Sequence, residues 1–158
     1  PGLYVIDGGD LQTSGKAELV GHDVTFVFTG SSPLQIGGMD ISGGTAIDLS
    51  APDETVGWAV ARDYQGVLFF QDPSAAQSAA GHVDNKLLGG SIARLDGAIY
   101  FPRESLLYSG GADLDGSCLM LVARHIMFRG NASYAHTDDA CDGFGLESVR
   151  PPRVRLLG

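Results

Sequence analysis

Val24-Thr25-Phe26-Val27-Phe28, closed by Thr29-Gly30-Ser31-Ser32-Pro33, is the stretch on which the reading of this chain turns. It alternates β-branched and aromatic residues and stops at a turn-forming cluster, the pattern of a short strand. Four other runs take nearly the same form: Leu3, Val5 and Ile6; Val67-Leu68-Phe69-Phe70; Ala98-Ile99-Tyr100-Phe101; and Leu119-Met120-Leu121-Val122. Their centres, Val5, Val27, Phe69, Tyr100 and Leu121, lie 22, 42, 31 and 21 residues apart. Most of these gaps fall near one or two periods of about 21 residues, inside the range that signals stacked repeats. So short a period leaves no room for a helix between strands. The expected architecture is all-β: a short single-stranded β-helix, or solenoid, each turn laying its apolar run on the one below. A β-sandwich of short strands is the alternative.

The intervening sequence fits the same plan. Leu34-Gln35-Ile36 runs into Gly37-Gly38, Met39-Asp40-Ile41 reaches Gly43-Gly44, and Ala46-Ile47-Asp48-Leu49 reaches Pro52. These read as strands of three to five residues with tight corners, one side chain inward and the next outward. The period places one rung at 3–23 and a second at 24–49, with further rungs starting at Val67, Ala98 and Leu119. Residues 51–65, with Val56, Trp58 and Val60 at strand spacing, form either another rung or an excursion that packs the sole Trp over the stack. Residues 72–81 read as a loop leaving the stack, since the run Pro73 to Ala80 is too short for a stable helix. Open strand edges invite uncontrolled pairing, so capping is expected, and 131–158 is the candidate cap.

Composition bounds the function. The 158 residues suit one domain, 1–158, large enough to bury a core, and the 44% hydrophobic share argues against disorder. Glycine, at 23 residues, follows the apolar runs as turns between short strands require. The net charge of −9 excludes the basic footprint that nucleic acid needs, and reads as a solubility charge. Five of the ten Lys and Arg lie late in the chain, at Arg124, Arg129, Arg150, Arg153 and Arg155, and the tail from Arg150 to Arg155 reads as a terminal strand, with a contact strip as the alternative. No apolar stretch approaches the length of about 18 residues that spans a bilayer. Opening at Pro1-Gly2 without Met, directly ahead of a strand, the chain reads as a domain cut from a longer precursor.

Catalytic patterns are thin. There is no nucleophile elbow, zinc-protease helix, phosphate loop or dinucleotide fingerprint. His22, His82, His125 and His136 stand singly and read as turn or strand-end residues. Asp48, Asp72 and Asp96 are carboxylates that would matter to a polysaccharide hydrolase only if two met at a separation of about 5–10 Å. Acid-glycine clusters occur at Asp7-Gly8-Gly9-Asp10, Asp113-Leu114-Asp115-Gly116 and 138–143. They are turn signals first; as calcium ligands the best candidates are Asp138, Asp139 and Asp142. No other cofactor is expected. Asn131-Ala132-Ser133 fits a glycosylation sequon, a pattern too common to weigh.

Cys118 and Cys141 are the only cysteines and lack zinc or thioredoxin spacing. Buried free thiols are one reading. Their placement favours a disulfide, because Cys118 opens an apolar run while Cys141 ends a polar loop that little else would pin. A bridge would imply an oxidising compartment.

Several blocks, taken in order, resemble the C-terminal region of TadG-type proteins of the bacterial Tad (tight adherence, Flp) pilus-assembly systems, notably those of α-proteobacteria. They are Gly2-Leu3-Tyr4-Val5-Ile6-Asp7-Gly8-Gly9, Val24 through Gly30, Ile47-Asp48-Leu49-Ser50-Ala51-Pro52 and Gly66-Val67-Leu68-Phe69-Phe70-Gln71-Asp72. Leu95-Asp96-Gly97-Ala98-Ile99-Tyr100-Phe101-Pro102, the Cys118 strand, and Ile126-Met127-Phe128-Arg129-Gly130-Asn131-Ala132 leading to Cys141 complete them. Cys118 and Cys141 fall where that family has its cysteine pair. The resemblance implies an exported protein whose membrane contact is an N-terminal pilin-like helix outside this sequence. It implies a non-enzymatic module at the bacterial cell surface, outside the cell or in the periplasm, acting in pilus assembly, surface contact or adhesion. Its partners would be pilin, other pilus-assembly proteins, or an external surface or polysaccharide, with no nucleic acid. A carbohydrate-active β-helix enzyme or polysaccharide-binding module is the alternative.

Overall fold

In the computed structural model, which describes residues 1–57, 61–79, 81–88, 92–109, 118–130 and 138–146, the five apolar runs lie side by side in one parallel ladder. It joins β1 (Gly2–Asp7), β4 (Val24–Thr29), β7 (Val67–Gln71), the middle of β9 (Ile92–Ser109) and the start of β10 (Leu119–Arg129). Tyr4, Phe26, Phe69, Ile99 and Leu121 are successive register partners across it. A second parallel ladder runs through β2 (Leu11–Thr13), β5 (Met39–Ile41), β8 (Asn85–Leu88), the end of β9 and the end of β10. A third joins β3 (Glu18–Gly21), β6 (Ala46–Ser50) and the beginning of β9.

Parallel strands cannot be joined by a tight hairpin and need a long crossover. Here the crossover of one ladder contains strands of the other two: between β1 and β4 the chain makes β2 and then β3. The result is a nearly closed, barrel-like wrap of parallel strands around one core. Every described strand pair is parallel, so the hairpins of the alternative β-sandwich do not occur among the described residues. The described residues hold no α-helix, only 3-10 turns at Ala61–Tyr64 and Asp138–Phe144.

Two strands are longer than the short runs suggest. β9 extends over 18 residues because it serves all three ladders in turn, and Pro102 does not interrupt it. Gly97 makes its first corner at a φ of 128°, a conformation that glycine tolerates. A Cβ there would stand 2.6 Å from that of Ala51. β10 turns its corner at a bulge between Ala123 and His125. Residues 72–79 form a loop, as the sequence suggests, and 51–57, the first described part of the other irregular segment, makes an excursion without a strand. Trp58 and Val60 lie outside the described residues.

Apolar columns fill the interior. Tyr4 stacks on Phe26 at 5.3 Å and Phe26 on Phe69 at 5.2 Å between ring centres. Phe28 meets Phe101 at 5.7 Å, with Ile41, Ile47, Leu49, Leu68, Leu87 and Leu95 sealed beside them. Full burial of each such side chain is worth about 1.5–3 kcal/mol. Polar groups inside are partnered where the wrap turns. The fully buried Asn85 accepts from the Met39 amide at 2.9 Å and donates to Glu104 at 2.8 Å, tying three successive strands at one corner.

The expected bridge is present. Cys118 and Cys141 are disulfide-bonded, with Cα atoms 4.9 Å apart. The bond clamps the 3-10 turn holding Cys141 beside the Gly97 corner, where the Gly97 amide donates to the Cys118 carbonyl at 2.5 Å. The same turn meets the 51–57 excursion through the Glu54 amide and the Gly143 carbonyl, 3.1 Å apart. Of the candidate cap, 131–137 and 147–158 lie outside the described residues, and the glycosylation sequon with them.

Candidate functional site

A carboxylate organises a site where polar side chains from distant parts of the chain converge on an open groove. Asp84 sits just before β8, at the end of the loop that leaves β7. One of its oxygens accepts the hydroxyl of Ser78, the amide of Ser105 at 3.2 Å and the hydroxyl of Ser105 at 2.7 Å. The single Ser105 hydroxyl proton is shared with the His82 carbonyl at 2.5 Å. The other Asp84 oxygen lies 2.7 Å from Nδ1 of His82. A carboxylate only accepts, so Nδ1 carries the proton and Nε2 is left free of that bond.

Ser78 and Ser105 are buried, and Asp84 is largely shielded behind His82. Burial is the largest influence on the Asp84 carboxyl and pushes its pKa up. The hydrogen bonds from Ser78, Ser105 and His82 together outweigh it and hold Asp84 below the ordinary carboxylate value. The anion is thus the anchor that holds Ser78 and His82 back against β9. The serine hydroxyls point at the carboxylate rather than at His82 Nε2, so neither is an activated nucleophile of the serine-hydrolase kind.

Across from the loop lies the end of β10. Its bulge lets consecutive residues escape strict alternation, and Arg124 and His125 are both exposed beside it. Gly81 and His82 on one side, and Arg124, His125, Ile126 and Met127 on the other, line an open groove of about 560 Å³. Arg124 also donates to the Ser78 carbonyl at 3.2 Å, which joins the two walls. On a chain of net charge −9, the groove gathers a guanidinium and two imidazoles. That combination suits an anionic group flanked by hydroxyls: Arg pairs with carboxylate or sulfate, and His donates or accepts beside it.

The other sequence candidates are placed as follows. Arg94 links Asp48 and Asp96, its Nε 3.8 Å from an oxygen of each, while His22 lies 3.8 Å from Asp48. Burial raises the Asp96 carboxyl above its usual value, opposed by the Cys118 amide and Arg94. This is an ion-pair network on the third ladder, with a cation between the carboxylates. Asp72 is elsewhere, in a turn accepting from the Ser74 amide at 2.8 Å. Asp10 accepts from the Gly38 amide at 2.9 Å. Asp138, Asp139 and Asp142 fall in the second 3-10 turn, where Asp142 is exposed and the side chains of the other two lie outside the described residues. Asp113 and Asp115 also lie outside them. Among the described residues no group of three or more His, Cys, Asp or Glu could hold a metal ion.

Sequence reasoning treated His82 and His125 as isolated. The signal that joins them is the strand period applied to polar positions: Asp84, Ser105 and His125 are 21 and 20 residues apart. Ser105 and His125 are direct register partners.

The chain matches no protein-family model, no curated protein and no solved structure. No helix among the described residues is long and apolar enough to cross a membrane.

Proposed function

We propose that this chain is a non-enzymatic surface module of a bacterial Tad-type pilus system, built as a short β-helix and acting in surface contact through an anionic ligand. The β-helix reading is supported by three parallel ladders whose strands recur in the same order along the chain. The disulfide fits the oxidising space of a periplasm or cell exterior. The observation that supports the binding role is the groove between His82 and the Arg124–His125 bulge, which presents a guanidinium beside two imidazoles on a chain of net charge −9. The ligand class it suits is an acidic polysaccharide presented by a surface, with uronate carboxylates meeting Arg124 and ring hydroxyls meeting the histidines. Partners on the pilus side would be pilin or other assembly proteins. Deleting the segment in the producing bacterium, then counting pili and attached cells, tests the reading. Reduced attachment or piliation is expected; unchanged attachment together with normal piliation would end it.

One observation favours a second reading. His82, held by Asp84 through Nδ1, presents Nε2 in the geometry of an oriented general base. A carbohydrate-active enzyme would use it so. Incubating the purified chain with acidic polysaccharides separates the two: new reducing ends, lost in His82→Ala, mark the enzyme, and intact polymer marks the binding module.

A further inference from the structure

Arg124, at one wall of the groove, has a cationic neighbour outside it. β9 and β10 run side by side there, with Ala123 opposite Phe101 and His125 opposite Ser105. Arg124 alone therefore stands opposite Pro102, Arg103 and Glu104, at the corner where both strands pass from the first ladder to the second. Strands in a ladder lie about 4.8 Å apart, so Arg103 and Arg124 are close along the backbone. Ser78 holds both: its amide donates to the Arg103 carbonyl at 3.0 Å, and its carbonyl accepts from the Arg124 guanidinium at 3.2 Å. Both arginine side chains are exposed, and among the described residues neither has a carboxylate partner. The carboxylates of this region are engaged elsewhere. Glu104 is half-buried and accepts from Asn85, Asp84 is held by Ser78, Ser105 and His82, and Asp72 accepts from the Ser74 amide.

From this corner the outer face of the first ladder is apolar. Val5, Val27, Phe70, Tyr100 and Val122 are successive register partners. Each lies one position on from the inward column of Tyr4, Phe26, Phe69, Ile99 and Leu121, so this second column points outward. Phe70 stacks on Tyr100 at 5.4 Å and receives Tyr64 edge-on at 6.3 Å. Tyr100 is half-buried and Val122 is 37% exposed, two residues before Arg124. Outward strand positions facing water are ordinarily polar, so an apolar shelf beside two unpaired guanidiniums marks a contact surface.

We propose that the polysaccharide site is extended, a conclusion that rests on the groove reading above. An anionic chain seated at Arg124 places a second uronate carboxylate on Arg103 and lays the C–H face of a further sugar ring against Tyr100 and Val122. The ligand is then a polyuronate long enough to pass the corner, not a single acidic sugar. A lone carboxylate is satisfied by one guanidinium; two guanidiniums on neighbouring strands fit anions that repeat along a polymer. The shelf adds the gain from removing apolar surface from water.

Calorimetric titration of the purified chain with digalacturonate and with hexagalacturonate, at physiological ionic strength, tests this. The parent should bind the hexamer about tenfold or more tightly than the dimer, as one additional charge-assisted pair implies. A longer oligomer also gains from the number of registers it can adopt, so the variants decide. Arg103→Ala, at an exposed position, should weaken the hexamer about tenfold and the dimer far less. Val122→Glu sets a carboxylate on the shelf and should likewise weaken the hexamer selectively. Equal weakening of both oligomers by Arg103→Ala, or no weakening of either, overturns the extension and leaves the groove standing. A parent chain that binds neither oligomer overturns the groove reading, and the extension with it.

Discussion

Glu104 and Asp84 are neighbours on the strand wrap with opposite pH behaviour. Burial pushes the Glu104 carboxyl above its usual value, and the nearby Asp84 and Asp10 add to the effect, against hydrogen bonds from Gln71 and Asn85. A raised folded-state value means the folded protein holds its proton longer. Stability from this group is therefore complete below the ordinary glutamate pKa and is lost as pH rises through the folded value. Asp84 is lowered. Its contribution is present above the ordinary aspartate value and is lost as pH falls through the folded one. Glu104→Gln keeps an oxygen for Asn85 to donate to while removing the charge. It should raise stability at neutral pH by about 0.5–1 kcal/mol, kept small because the site is only half-buried. Urea melts at several pH values would show the gain shrinking toward zero in acid. A gain that persists in acid would place its origin elsewhere than the carboxylate charge.

The strand ladders were legible because their inward residues are large, apolar and periodic. Phe26, Phe69, Ile99 and Leu121 recur as apolar residues because register partners must fill the same close-packed column. The length of β9 was not legible: Pro102 reads as a strand end, but a proline breaks a ladder only where its missing amide is needed. The groove was hidden for a different reason. Asp84, Ser105 and His125 share the strand period, yet polar residues occur at so many exposed positions that their spacing stands out only once the ladders are known. Two changes test the elements directly. Gly97→Ala must strain the corner and crowd Ala51 and Leu68, at a cost of about 2 kcal/mol or more, read as a lower urea midpoint. Replacing Cys118 and Cys141 with Ser together removes a link across 23 residues and should cost about 3 kcal/mol. Equal denaturation midpoints for this variant and the parent would mean the 3-10 turn holds itself through Gly143.

At the scale of the molecule, one winding of the chain accounts for both the core and the groove. Parallel strands return each segment to the same side of the wrap, so loop residues 78–84 meet β10 residues 124–127 although about 40 positions separate them. The strip of one guanidinium and two imidazoles follows from that return, on a chain of net charge −9. Calorimetric titration of the purified chain with an acidic oligouronate, for the parent, Arg124→Ala and Lys86→Ala, measures whether the strip binds. Saturable binding, weakened about tenfold or more by Arg124→Ala, is expected, because loss of a charge-assisted pair costs about 1.5–3 kcal/mol. Lys86→Ala, whose ammonium is already paired with Asp40 at 2.7 Å, should leave it nearly unchanged. No heat of binding in the parent, or equal losses in both variants, would contradict the assignment of the groove.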